Sequence, residues 1–163
     1  MIETPEIITT EAQPAAVIHV TVLRNRIREV MGPAIEEVIG AVSDQGIGPR
    51  GPVFAHHLRL SAEEFDFEVG VPVDGSVTPV GRVKSGELPA ATVARTVYRG
   101  PYEGLHAAWR EFGERMRSGL GDGLEAEGLR PGPTLWERYV VGPETSPDPA
   151  DWRTELNQPL VEP

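Results

Sequence analysis

The chain has 163 residues, with 25 acidic against 15 basic side chains for a net charge of -10, and it contains no cysteine. This length suits a single domain, and the missing cysteine excludes disulfides, thiol nucleophiles and cysteine-ligated metals. The acidic balance disfavours direct nucleic-acid binding, which needs basic side chains against phosphates. Because no leader segment or membrane-length apolar run occurs, we expect a cytoplasmic protein that does not bind membranes.

The first half of the chain follows the order strand, helix, strand, strand. Its predicted parts are a polar lead-in at 1–11, a strand at 15–22, a helical stripe from Met31 to Val42, and strands at 53–58 and 65–73. The stripe has the spacing of an amphipathic helix, and Gly46 ends it because glycine adopts the left-handed C-cap at little cost. Alternation of apolar and polar residues indicates the last strand.

The same order of elements recurs after a predicted loop at 75–89. Its parts are a strand at 91–98, a helical stripe from Leu105 to Met116, and strands at 134–141 and 152–160. The halves also share two short motifs. These are F/W-x-x-E-x-x-x-P at 65–72 and 152–159, and Gly-Pro at 51–52 and 132–133, where the second copy has one residue inserted downstream.

These repeats predict an α+β fold made of duplicated β-α-β-β units with pseudo-twofold symmetry. The units span about 12–74 and 90–161 of a single domain that covers 1–163. We expect antiparallel sheets with the two main helices on one face. We also expect a ligand cleft where the units join, because such junctions are favoured places for ligands.

Several common catalytic and binding motifs are missing or stand in the wrong context. Residues 46–51 match G-x-G-x-x-G, but they leave a helix and enter a strand, whereas a dinucleotide-binding loop leaves a strand and opens a helix. His56 and His57 are neighbours on a strand and therefore face opposite ways, while His19 and His106 stand alone, so we expect no metal site. No nucleotide-binding loop or serine-hydrolase elbow occurs, and we expect no cofactor.

Glu137 is an unusual residue because it lies inside the apolar and aromatic run 135–141. Alternation places it on the same strand face as Tyr139. A carboxylate beside aromatic rings suits a lipophilic cation, since ring faces attract positive charge and the carboxylate supplies the counter-charge. The alternative is that this face is simply exposed to solvent at Glu137.

Three motifs in order along the chain resemble a known family. They are Tyr98-Arg99-Gly100-Pro101-Tyr102, Gly132-Pro133-x-x-Trp136-Glu137-x-Tyr139 and Thr154-Glu155-Leu156-x-x-Pro159-Leu160. Over residues 12–161 the chain is similar to the GyrI-like small-molecule-binding domain, which is also the effector-binding domain of some AraC-type and MerR-type multidrug regulators. The resemblance implies the duplicated fold and a central pocket, with Glu137 as the pocket glutamate and an aromatic wall that includes Tyr98, Trp136 and Tyr139.

The chain departs from the family pattern at two places. One extra residue precedes Trp136, and such an insertion can change the strand register and the direction of Glu137. His57 stands where relatives often have tyrosine, and a histidine that titrates at about 6.5 would oppose a cationic ligand once protonated.

Trp109 fits a plain core position as well as a ligand contact. The complete predicted ligand-binding set is Glu137, Tyr98, Trp136, Tyr139, His57, Phe67, Tyr102 and Trp109.

Three functions are consistent with this pattern. The first is a stand-alone protein that binds lipophilic, aromatic, often cationic compounds. The second is a hydrolase of cyclopropane-containing genotoxins, as some members of the resembled family are, with Glu137 as the general base and Tyr98 or Tyr139 as the positioning phenol. The third is an acidic protein that inhibits a DNA-processing enzyme such as a gyrase. No helix-turn-helix segment flanks the resembled region, so we expect no direct DNA contact.

Overall fold

The computed structural model describes residues 2–118 and 129–161. The elements in chain order are β1 (Glu6–Thr10), β2 (Gln13–Leu23), α1 (Ile27–Gln45), β3 (Phe54–Leu60), β4 (Glu64–Pro72), β5 (Lys84–Leu88), β6 (Ala91–Arg99), α2 (Leu105–Ser118), β7 (Arg130–Pro131), β8 (Leu135–Val141) and β9 (Arg153–Val161). They divide into two compact units. The first unit is Glu11–Ala90, and the second unit combines Met1–Thr10 with Ala91–Pro163.

In the first unit the strands pair in the order β3-β4-β2-β5, and every pair is antiparallel. Helix α1 packs on β2 and β4. It buries Ala34, Val38 and Val42, which repeat every four residues along one helix face. The helix ends at Gly46, whose φ of 69° is the left-handed conformation that favours glycine, so the predicted helix end is confirmed.

In the second unit the strands pair in the order β1-β6-β9-β8, again antiparallel, and the short β7 pairs with β9. Helix α2 packs on β6. The core of this unit is an apolar cluster of Ile2, Ala94, Tyr98, Ala108, Phe112, Met116, Leu156 and Leu160. The antiparallel sheets and the two main helices confirm the predicted fold class. Within the described ranges, no helix is long and apolar enough to cross a bilayer.

The two units share one pairing scheme. In each, the first long strand after the helix pairs with the next long strand, which pairs in turn with the strand before the helix. His57 is the last paired residue before a register shift in β3, and Tyr139 is the last before a shift in β8. Each shift is a β-bulge, in which one residue is left out of the pairing. His57 therefore corresponds to Tyr139, and Ala55 corresponds to Glu137.

Two strands differ from the sequence prediction. Strand β1 lies in the stretch predicted as an irregular lead-in, and β5 lies in the predicted loop at 75–89. Both depend on pairing with distant parts of the chain, as when Glu6 pairs with Arg95. The sequence of β5 is polar, whereas β1 has a β-branched run at 7–10 that the prediction missed. In β5, a Cβ at Gly86 would come within 2.8 Å of Val17, so this close approach of strands suits glycine.

Candidate functional site

Glu137 is a buried carboxylate held by two aromatic donors. It lies on β8 with 8% of its surface exposed. The indole Nε1–H of Trp109 donates to Oε2 at 2.7 Å, and the phenol O–H of Tyr139 donates to Oε1 at 2.8 Å. Each carboxylate oxygen therefore has a hydrogen-bond donor, as a buried polar group requires.

Strand alternation and helix packing bring these side chains together. Glu137 and Tyr139 are two residues apart on β8 and share one face of the strand. Their partners on β9 are Leu156 and Thr154. Leu156 belongs to the core beneath α2, so this is the strand face that the helix covers. Trp109 packs against that core and donates to Glu137 from the helix. Its contact with a ligand stays a prediction.

No cationic side chain neutralises Glu137 in the described part of the chain, where none of the salt bridges includes it. Its neighbour Arg138 faces the opposite side of the strand and binds Glu155 at 2.9 Å. Arg95 binds the same Glu155 oxygen at 3.3 Å. Nor do three or more histidine and acidic side chains converge into a metal site in that part of the chain.

Burial governs the titration of Glu137 and Tyr139. It raises the pKa of Glu137 because the charged carboxylate loses solvation, and the hydrogen bonds from Trp109 and Tyr139 oppose that rise. Burial and the adjacent Glu137 raise the pKa of Tyr139 well above its ordinary value. The phenol therefore keeps its proton and remains a donor to the carboxylate.

Three rings form an aromatic cluster, defined here as Tyr102, Tyr139 and Trp152. The ring centroids of Tyr102 and Tyr139 are 5.7 Å apart at 71°, and those of Tyr102 and Trp152 are 4.9 Å apart at 34°. All three residues are half-buried. Burial, followed by the charges of Glu144 and Glu137, raises the pKa of Tyr102 to about 12. The cluster places neutral rings beside the buried carboxylate.

Tyr98 and Trp136, the other predicted wall residues of the second unit, lie on different faces of its sheet, and Tyr98 shares the face of Tyr139 because both pair with Thr154. Tyr98 is in the core beneath α2, with 6% of its surface exposed, and its O–H donates to the Pro101 carbonyl at 2.8 Å. Trp136 precedes Glu137 and therefore lies on the opposite face of β8, where it pairs with Asn157. The extra residue before Trp136 thus leaves Glu137 directed towards α2.

His57 and Phe67 belong to the first unit and stack on each other. Their ring centroids are 5.1 Å apart at 26°, and Phe65 meets His57 edge-on at 5.3 Å. Burial lowers the pKa of His57 to about 4 from its ordinary 6.5, and His56 and Arg24 contribute in the same direction. Desolvation therefore keeps this imidazole neutral at pH 7. The pKa of His57 is lower than the ordinary value of 6.5 that the sequence alone suggests.

The predicted set did not include Trp152 and Glu144. In the sequence Trp152 belongs to the repeated F/W-x-x-E-x-x-x-P motif, and its contact with Tyr102 depends on the loop before it. In that loop, the Trp152 Nε1–H donates to the Ser146 carbonyl at 2.9 Å. A sequence signal did exist, because an aromatic residue directly follows the acidic loop 142–151, but nothing in that spacing identifies Tyr102 as its partner.

This α+β fold is that of a small-molecule-binding domain. The profile of the GyrI-like small molecule binding domain matches residues 3–160. The chain therefore belongs to the GyrI-like family, and the resemblance seen in its motifs is confirmed. No curated protein sequence matches the chain at a significant level.

Several solved structures share this fold. The EcmrR C-terminal domain has a TM-score of 0.76 at 19% identity, with 98% of both chains covered. EcmrR in a DNA complex (EcmrR-RPo) has a TM-score of 0.74 at 17% identity, and the match covers 98% of this chain and 58% of that one. SAV2435 bound to tetraphenylphosphonium has a TM-score of 0.69 at 12% identity, with 98% and 94% covered. This chain thus spans little more than half of the EcmrR chain in the DNA complex.

Proposed function

We propose that this protein binds lipophilic aromatic cations against the second unit, with Glu137 as their counter-charge. The observation that carries the proposal is a carboxylate with 8% exposure that has two aromatic donors and no cationic partner in the described residues. Tyr102, Tyr139 and Trp152 supply the rings. His57 and Phe67, in the first unit, stay predicted ligand contacts.

A buried carboxylate without a counter-charge is costly, and this cost favours a cationic ligand. An ionised group loses several kcal/mol of solvation on burial, and a close opposite charge offsets that loss. The two hydrogen bonds to Glu137 recover part of that loss, and a ligand cation recovers more. Each ring face adds about 0.5–2 kcal/mol of cation–π attraction where water is excluded. A neutral aromatic ligand gains only the burial of its apolar surface.

One structural neighbour supports the chemical class. SAV2435, which shares the fold at 12% identity, was solved with tetraphenylphosphonium, a cation enclosed by four phenyl rings. Because so low an identity establishes only the fold, the ligand itself comes to this chain as part of the proposal. The buried carboxylate and the aromatic cluster of this chain match the charge and the rings of such a compound.

Calorimetric titration with tetraphenylphosphonium tests the proposal. We expect wild type to bind and Glu137→Gln to bind at least about tenfold more weakly, because loss of one partner of a buried charge pair costs 2 kcal/mol or more. Glu36→Gln is the matched control, since Glu36 is exposed on α1 and the change in net charge is identical. Equal affinity of wild type and Glu137→Gln at pH 8, with unchanged thermal melts, would contradict the counter-charge role.

A second candidate function is hydrolysis of a cyclopropane-containing compound, which is favoured by the burial of Glu137, because burial raises the pKa of this carboxyl and makes it a better base. The water oxygen would bond to one ring carbon as the ring C–C bond to its neighbour breaks, and Glu137 would take the water proton and return it to the carbon released from that bond. Tyr98 is less suited than Tyr139, because its O–H donates to Pro101 whereas that of Tyr139 donates to Glu137, the general base. Absorbance during incubation with such a compound tests this, and turnover no faster than in buffer would leave binding alone.

A further inference from the structure

Tyr102 lies between two carboxylates of different burial. On one side it meets Tyr139, which donates to the buried Glu137. On the other side, the Tyr102 Oη and the Glu144 Oε2 both approach Gly142, at 2.8 and 2.9 Å from the point where a Cβ would stand. The series Glu137, Tyr139, Tyr102, Glu144 therefore runs from a buried to an exposed carboxylate.

Local hydrogen bonds hold the backbone of the loop that carries Glu144. The Thr145 and Ser146 N–H groups donate to the Gly142 carbonyl, each at 3.0 Å. The Ser146 carbonyl accepts from Trp152, and that indole packs on Tyr102. The loop that carries Glu144 is thus closed on itself at Gly142 and joined to the aromatic cluster through Ser146, and substitution of Glu144 itself removes none of these bonds.

Glu144 is exposed and has no cationic partner in the described residues, where no salt bridge includes it. No lysine or arginine occurs from Gly142 to Trp152, whereas Asp148 and Asp151 add negative charge to the same loop. The charge of Glu144 acts on the cluster, since it helps to raise the pKa of Tyr102. A positive group beside Tyr102 would therefore meet an unneutralised carboxylate.

We propose that Glu144 is the outer of two carboxylates and selects aromatic ligands that carry a second positive charge. The inference rests on the proposed function, because Glu137 holds the first charge. Glu144 holds the second charge, on the side of the Tyr102 ring that faces away from Tyr139. Because Glu144 is solvated and screened by salt, its effect is modest, about two- to fivefold in affinity for an exposed ion pair.

Ethidium and propidium provide the test, because they share one phenanthridinium ring system and propidium carries an additional quaternary ammonium group. Fluorescence titration in 50 mM and 300 mM salt gives four affinities for each protein. We expect Glu144→Gln to weaken propidium binding by about two- to fivefold at low salt and to leave ethidium binding within error. We expect the difference to shrink at high salt.

Two further variants separate the possible failures. Glu36→Gln should change neither affinity, which controls for net charge, and Glu137→Gln should weaken both dyes. If Glu144→Gln weakens both dyes equally, or neither, the proposal for Glu144 is wrong while the function proposed for Glu137 stands. If wild type binds neither dye nor tetraphenylphosphonium, the proposed function itself fails.

Discussion

The indole N–H of Trp109 donates to Oε2 of Glu137 at 2.7 Å and so joins helix α2 to strand β8. The bond has two effects at once. It satisfies a buried acceptor, and it holds the carboxylate in one orientation beside Tyr139 and the rest of the aromatic cluster. Trp109 is therefore a positioning residue for Glu137, whether or not its ring also contacts a ligand.

Trp109→Phe should destabilise the protein more than Trp152→Phe does. Both changes remove an indole N–H and a similar volume, but Trp109 donates to a buried carboxylate and Trp152 to a half-buried loop carbonyl. Leaving a buried acceptor without its donor costs about 1–3 kcal/mol, more than the net worth of an ordinary hydrogen bond. Urea unfolding at pH 8 measures both variants. Equal losses would show that the bond to Glu137 contributes nothing beyond packing.

Tyr139→Phe should move the pH dependence of cation binding upward. Burial raises the pKa of Glu137 and the Tyr139 hydrogen bond lowers it, so removing the phenol O–H raises the pKa further. A cation prefers the ionised carboxylate, so affinity rises with pH through the pKa of Glu137 and then levels off. Titration with tetraphenylphosphonium from pH 5 to 9 should place the midpoint higher in the variant. A midpoint that moves lower would contradict the assigned hydrogen bond.

His57→Phe should protect the protein against acid. The folded-state pKa of His57 is lowered to about 4 from 6.5, so the unfolded chain binds the proton more tightly. Stability from a neutral buried His57 is complete above 6.5 and is lost as pH falls towards 4, by up to about 3 kcal/mol.

The measurement is the free energy of unfolding from pH 8 to pH 4 for wild type and His57→Phe. We expect the wild-type curve to fall relative to the variant only below pH 6.5. His106→Gln is the control, because His106 is exposed. Parallel curves for wild type and His57→Phe would mean that His57 titrates alike in the folded and unfolded states.

The periodic spacing of apolar residues along the sequence was enough to predict most of the fold. The helix ending at Gly46 and the strand carrying Glu137 follow from apolar spacing and glycine placement, which are local properties. Strands β1 and β5 escaped prediction because their order comes from pairing with β6 and β2, far along the chain. Strand β5 is short and polar, whereas the β-branched run 7–10 in β1 favours a strand but is too short to establish one without its partner.

The candidate site was predictable from the sequence only where strand alternation determines the face on which a side chain lies. Alternation alone places Tyr139 beside Glu137 and places Trp136 on the other face, although the family resemblance groups all three. The donor from Trp109 and the stacking of Trp152 on Tyr102 are tertiary contacts across elements. No spacing within one element encodes such contacts, so they required the structure.

The matched β-bulges of the two units have a consequence for stoichiometry. Ala55 stands where the second unit has Glu137, and the neutral His57 stands where it has Tyr139. Both units have the bulge, but at this position the second unit has a carboxylate and the first unit has an alanine. Binding that depends on this carboxylate should saturate at one monovalent cation per chain, and a second equivalent would need an anion installed on β3, as in Ala55→Glu.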